Sequence, residues 1–131
     1  MLFALDVTER DGWEIVEVTG ELELATAPRL RQQVVSLVGA NCVRVVLDLT
    51  RVDFIDSVGL GVVVGALKRT RGRGGDLRVV APQERVRSLF AVTRLDEIIE
   101  VVDSVEAALG AGPVPSAPTE SSRSAEQRID G

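Results

Sequence analysis

The chain contains no histidine, no tyrosine and a single cysteine, Cys42, among its 131 residues. Without histidine there is no Ser-His-Asp or Cys-His catalysis and no histidine metal centre or zinc knuckle. A lone cysteine forbids an internal disulfide. Cys42 borders a valine-rich run and reads as a small buried hydrophobe rather than a reactive thiol. An unbridged chain of this kind suits the reducing cytoplasm. Aromatic residues are only 3% of the sequence (Trp13, Phe3, Phe54 and Phe90), so the core must be aliphatic. A base-stacking surface for single-stranded nucleic acid lacks its raw material. Positive charge is short as well: 15 Lys and Arg stand against 20 Asp and Glu, and a net charge of −5 argues against nucleic-acid binding. No stretch approaches the ~20 apolar residues of a membrane span. The N-terminus has no basic region and no cleavage pattern, so secretion is not expected.

What remains is ordinary for a globular protein, with 45% apolar and 27% charged residues. The length suits one domain. Composition changes after Leu109: residues 110–131 hold three prolines, no aromatics and no hydrophobic periodicity. That segment is expected to be a disordered tail, leaving residues 1–109 as the domain.

Along the domain, Phe3, Leu5 and Val7 alternate as in a strand, and Asp11-Gly12 suits a tight hairpin turn. Trp13 to Thr19 reads as the returning strand. Thr26 is a candidate N-cap, with Pro28 in the first turn of a helix. Leu30, Val34, Leu37 and Val38 form its apolar stripe, and Gly39 can end it. The nearly continuous apolar run of residues 43–49 suits a central strand covered on both faces. A loop from Thr50 to Asp56 then leads to a second helix, Ser57 to about Arg71. A short strand from Leu77 to Val80 precedes a third helix from Pro82 to about Thr93. A last strand from Ile98 to Val102 is followed by a helix that residues 103–106 open with a capping-box-like pattern. The order β-β-α-β-α-β-α-β-α implies an α/β domain, a mixed sheet with helices packed against it.

Residues 47–75 carry most of the information. Leu60, Val63, Val64 and Leu67 give the second helix a core face. Gly59, Gly61 and Gly65 each cost about 1 kcal/mol relative to alanine, so packing must hold this helix. Val58, Gly61, Val62, Gly65 and Ala66 fall on a second face that is small, smooth and apolar, which suggests docking. Ser57 stands at the N-cap position. A serine there caps the helix and need do nothing more. Asp53 and Asp56 read as helix-dipole partners, with a metal-ligand or hydrolytic role as the alternative. The basic residues Lys68, Arg69, Arg71, Arg73 and Arg78 could suggest phosphate or nucleic-acid binding, but the first three occupy the C-terminal turn of the helix, where cations stabilise the dipole, and that reading is preferred. Gly72, Gly74 and Gly75 end the helix and do not make a phosphate loop.

The segments at 20–31 (GELELATAPRLR), 45–64 (VVLDLTRVDFIDSVGLGVVV) and 86–99 (VRSLFAVTRLDEII), in this order, resemble the STAS domains of bacterial anti-sigma factor antagonists. In that family the serine of the DFIDSVGL-type motif is the phosphoacceptor, which is Ser57 here. The resemblance implies a STAS-like fold and a cytoplasmic, non-enzymatic regulator without cofactor or metal. Its implied partner is an anti-sigma factor with serine kinase activity. That factor is bound by the unmodified form, which frees a sigma factor, and is released once Ser57 is phosphorylated. A PP2C-type phosphatase would reverse the modification, and neither nucleic acid nor membrane is an implied partner. A STAS scaffold or small-anion-binding module without phosphorylation is the alternative. Glu23, Thr26, Asp53, Asp56, Ser57, Val58, Gly59, Gly61 and Val62 form the candidate partner-contact set. Glu23 stands where the family usually has Asp, and Arg94 replaces the usual glycine of a T-G-L-type turn.

Overall fold

The computed structural model describes residues 2–111. Two antiparallel strands open the chain, β1 (Ala4–Arg10) and β2 (Trp13–Leu22). The turn between them places Asp11 and Gly12 at φ 54° and 84°, both in the left-handed region that the Asp-Gly pair tolerates. Three crossovers follow: α1 (Ala27–Gly39) to β3 (Arg44–Ile55), α2 (Ser57–Arg71) to β4 (Asp76–Val80), and α3 (Glu84–Val92) to β5 (Glu100–Val102). A helix α4 (Val105–Gly110) ends the described part. The sheet order is β1-β2-β3-β4-β5, with β2 to β5 parallel.

This order determines where the helices lie. Parallel strands that advance in one direction through right-handed crossovers carry every crossover helix to the same face. Accordingly Leu30 and Val34 of α1, Val63 and Leu67 of α2, and Val86 and Phe90 of α3 share one aliphatic core with Val16, Val45, Leu47 and Val79 of the sheet. On the opposite face α4 packs over a smaller cluster, Trp13, Ile15, Val46 and Val80, with Val102 at its edge. Beyond α4 that face turns polar: Asp6, Glu17 and Asp48 stand side by side in register on three strands.

Several sequence boundaries shift for physical reasons. Residues 50–55 are not a loop but the second half of β3, which pairs with β2 as far as Leu22↔Ile55 through two register irregularities. That half extends past β4, and only Val52 and Ile55 of it are buried, so the apolar run breaks. β2 extends past Thr19 to Leu22 by the same pairing. On its other flank, Gln83 Nε2 and Arg85 Nη1 donate to the carbonyls of Thr50 and Asp53. α3 therefore begins at Glu84 rather than Pro82. β5 is shorter than Ile98–Val102, because a 3-10 turn occupies Leu95–Glu97. The cap of α4 is Ser104, whose hydroxyl accepts from the Ala107 amide, one residue past the expected Asp103. Cys42 is only partly buried. Of the expected tail, residues 112–131 lie outside those described.

The basic cluster is dispersed. Arg71 pairs with Asp76 at 2.9 Å and donates to the Ile98 carbonyl at 2.8 Å. Arg78 is buried beneath α4, with its guanidinium 4.4 Å from the Trp13 ring centroid and Nη1 donating to the Ala108 carbonyl at 2.6 Å. Both serve structure. Of this cluster, Lys68, Arg69 and Arg73 have no carboxylate partner among the described residues.

Candidate functional site

The parallel strands β2 and β3 end side by side, and the segments that leave them form one corner of the molecule. From β2 come residues 23–26, which turn into α1. From β3 comes Asp56, which starts α2. Open α/β sheets generally use this carboxyl end of the strands for recognition.

Asp56 organises the corner. Its Oδ1 accepts from the Gly59 amide at 2.9 Å, which makes it the N-cap of α2. Its Oδ2 accepts from the Leu24 amide at 3.1 Å, and its own N–H donates to the Leu22 carbonyl at 3.2 Å. One carboxylate thus joins the end of β2 to the start of α2. Both of its oxygens are engaged by amides, which leaves the metal-ligand reading of Asp56 without support.

Ser57 is consequently not the cap but the first helical residue, and it is exposed. This corrects the position inferred from sequence. Aspartate and serine are comparable N-caps; the helix itself starts at Ser57 as expected, and the extended Asp56 just before it takes the amide. The serine hydroxyl stays outside the cap, at the end of the helix where unpaired N–H groups and the positive end of the dipole gather.

Gly59, although in the candidate contact set, is buried. A methyl there would fall inside the van der Waals radius of the Leu22 carbonyl oxygen, with Leu22 Cγ at 3.0 Å and Ile55 Cγ2 at 3.1 Å. Glycine is required for the close approach of α2 to β2, which keeps the cap in place. Ala66 is buried as well, so it leaves the proposed smooth face, while Leu60 and Val64 are only partly buried. The buried stripe of α2 is Gly59, Val63, Ala66, Leu67 and Thr70. Every residue from 58 to 67 is apolar or glycine, so periodicity could not fix the rotation of this helix.

The remaining candidates lie on α2, on the end of β3 and on the turn after β2. Val58 and Gly61 are exposed and Val62 is half-buried. Glu23 holds its own turn, because Oε1 accepts from the Ala25 amide at 2.8 Å. Thr26 occupies the N-cap position of α1 but makes no cap bond. Its Oγ1 accepts from the Glu23 amide at 3.0 Å and donates to the Glu21 carbonyl at 2.6 Å, which rigidifies the turn rather than the helix. Asp53 is exposed on the last part of β3. Two residues that sequence reasoning did not select belong to the corner. Leu24 is 69% exposed and Phe54 48% exposed, beside Val58 at 40%. A cleft of about 200 Å3 extends from Phe54 along α3, lined by Asp53, Ile55, Arg85, Val86 and Leu89. Large apolar side chains at the tip of a turn and the end of a strand were the available signal.

The corner therefore combines an exposed hydroxyl at a helix N-terminus, carboxylates at Glu23 and Asp53, and exposed apolar side chains. The STAS domain family profile matches residues 4–108, and the chain belongs to that family. An anti-sigma-B factor antagonist of Listeria monocytogenes is 35% identical over 102 residues, covering 77% of this chain and 90% of its own length. The crystal structure of an anti-sigma factor antagonist from Mycobacterium paratuberculosis superposes with a TM-score of 0.76 at 30% identity, covering 82% of this chain and 92% of that one. The fold is also that of the Bacillus cell fate determinant SpoIIAA in its phosphorylated form, with TM-score 0.64, 19% identity, and coverage of 82% and 96%. These relatives are named as antagonists, regulatory binding proteins rather than enzymes. Among the described residues no helix is long and apolar enough to cross a membrane.

Proposed function

We propose that this protein is an anti-sigma factor antagonist switched by phosphorylation at Ser57. Unmodified, it binds an anti-sigma factor that is also a serine kinase and so releases a sigma factor. Phosphorylation of Ser57 by that kinase ends the complex, and a PP2C-type phosphatase restores it. The observation that carries this reading is the division of roles at the start of α2: Asp56 makes the cap bond, and Ser57, next in the chain, is exposed, as are Leu24, Phe54 and Val58.

A phosphate on Ser57 would add about −1.5 to −2 charges beside Asp53 and Glu23. The helix N-terminus accepts such a group without unfolding. A partner surface fitted to a hydroxyl and an apolar rim does not, because the phosphate must be desolvated next to like charge. A loss of about 2–4 kcal/mol, roughly 30- to 1000-fold in affinity, is expected.

The test is a pull-down of the unmodified protein against kinase-type anti-sigma factors of the source genome, followed by ATP. The bound factor should add one phosphate to the wild type and none to Ser57→Ala, and the modified protein should no longer bind. Failure to bind any such factor refutes the partner. A phosphoprotein with undiminished affinity refutes the switch.

A further inference from the structure

We infer that a second site, at the opposite end of the α1–α2 pair from Ser57, binds a small amphiphilic anion: a phosphate or carboxylate on an aliphatic body. An open cleft of about 370 Å3 lies there, lined by Val35, Val38 and Gly39 of α1 and by Arg69 and Arg73 from α2 and its exit. Its volume falls in the range of small-molecule sites, ~300–1,000 Å3.

Charge supports this choice of ligand. In a chain of net charge −5, Arg10, Arg51, Arg71, Arg87 and Arg94, five of the 15 Lys and Arg, pair with carboxylates. Arg69 and Arg73 have no carboxylate partner among the described residues, yet both line the same cleft. The Arg69 guanidinium folds back along α2, with Nη1 3.1 Å from where a side chain at Gly65 would begin. A Cβ at Gly39 would meet nothing within 4 Å, and of the two lining valines Val35 is partly exposed while Val38 is buried. Planar guanidinium forks match carboxylate and phosphate oxygens, and Val35 with Val38 offers contact to a short hydrocarbon. A helix C-terminus needs cations in its last turn, which explains Arg69. It does not explain Arg73, which follows the helix, nor the valines that line the same cleft.

The experiment is calorimetric titration of the full chain with octyl phosphate below its micelle concentration, with inorganic phosphate and octanol as controls. Octyl phosphate should bind at least tenfold more tightly than either control. Arg69→Gln/Arg73→Gln should weaken it at least tenfold while the protein stays folded, with only the small fall in melting temperature that losing a helix-end charge brings. Gly39→Phe, which fills the cleft and keeps both arginines, should weaken it to a similar extent. Amide shift changes should centre on Val35, Val38, Gly39 and Arg69. Equal affinity for inorganic phosphate, or octyl phosphate binding indifferent to these variants, would overturn the proposal. Binding confined to phosphatidylglycerol vesicles, with none to the free amphiphile, would overturn it too.

Discussion

The same substitution two residues apart in α2 should have opposite effects. Alanine in a helix interior is favoured over glycine by about 1 kcal/mol. At Gly61 that gain stands alone, because the added methyl meets nothing within 4 Å. Gly61→Ala should therefore stabilise by about 0.5–1 kcal/mol, raising Tm by roughly 2–5 °C for a chain of this length. At Gly59 the methyl overlaps the Leu22 carbonyl and presses on Leu22 Cγ and Ile55 Cγ2 at 3.0 and 3.1 Å. The oxygen belongs to a strand end, so it cannot turn aside as a flexible side chain would. Overpacking costs about 1–3 kcal/mol and more against backbone, which outweighs the propensity gain. The Leu22 carbonyl also accepts from the Asp56 amide, so displacing it loosens the corner. Gly59→Ala should be destabilised by about 1–3 kcal/mol and should weaken partner binding beyond any loss from unfolding. Urea unfolding followed through Trp13, the sole tryptophan, measures both stabilities. Equal effects of one sign at the two positions would refute the packing argument.

Three further substitutions test separate features. Because Asp56 makes the cap bond, Ser57→Ala should stay within about 0.5 kcal/mol of wild type, whereas Asp56→Ala should lose about 1–2 kcal/mol; thermal melts distinguish them. Arg94 has φ 63°, a left-handed conformation that explains the glycine usual in the related motif. Arg94→Gly should raise stability by about 0.5–1 kcal/mol in urea, since the exposed Arg94–Glu97 pair contributes little. Arg78 is buried with Nε unpartnered. Arg78→Met should fall within about 1 kcal/mol of wild type, while Arg78→Ala should cost about 2–4 kcal/mol and red-shift Trp13 emission as α4 loosens.

Element order was legible because each crossover carries its own period: alternating β1, a continuous run in β3, and a clean stripe in α1. Where one signal served two purposes, the reading slipped. Residues 50–55 look polar because half of that strand lies beyond β4 and faces solvent, yet backbone pairing with β2 needs no apolar side chains. Ser57 and Asp56 are both good caps, and only the extended backbone of Asp56, just ahead of a helix that includes Ser57, decides between them. Arg78 looks like its basic neighbours, but strand alternation turns it under α4. The motif itself was readable as an ordered set of residue types, since it states chemistry that the corner displays. Leu24 and Phe54 were not, because an apolar residue gives the same signal whether it is buried or exposed.

The proposed switch depends on that decision between Asp56 and Ser57. A serine that capped α2 would be tied to the fold: modifying it would break the Gly59 bond, and the unmodified and modified forms would differ in stability as well as surface. With the carboxylate of Asp56 holding Gly59 and Leu24, the next residue is free to change its charge while the helix start remains fixed. Gly59 contributes from inside, since its missing side chain lets the helix end close on β2. The energy of phosphorylation is then expressed at the surface, against a partner, rather than in rearranging the domain. A double-mutant comparison isolates this point. Ser57→Asp should reduce partner affinity at near-native stability. The same change in an Asp56→Ala background should recover part of the lost stability, because the introduced carboxylate is then the nearest one to the open amides of α2. If Ser57→Asp gave the same stability change in both backgrounds, the two positions would not share those amides, and the separation of cap from switch would fail.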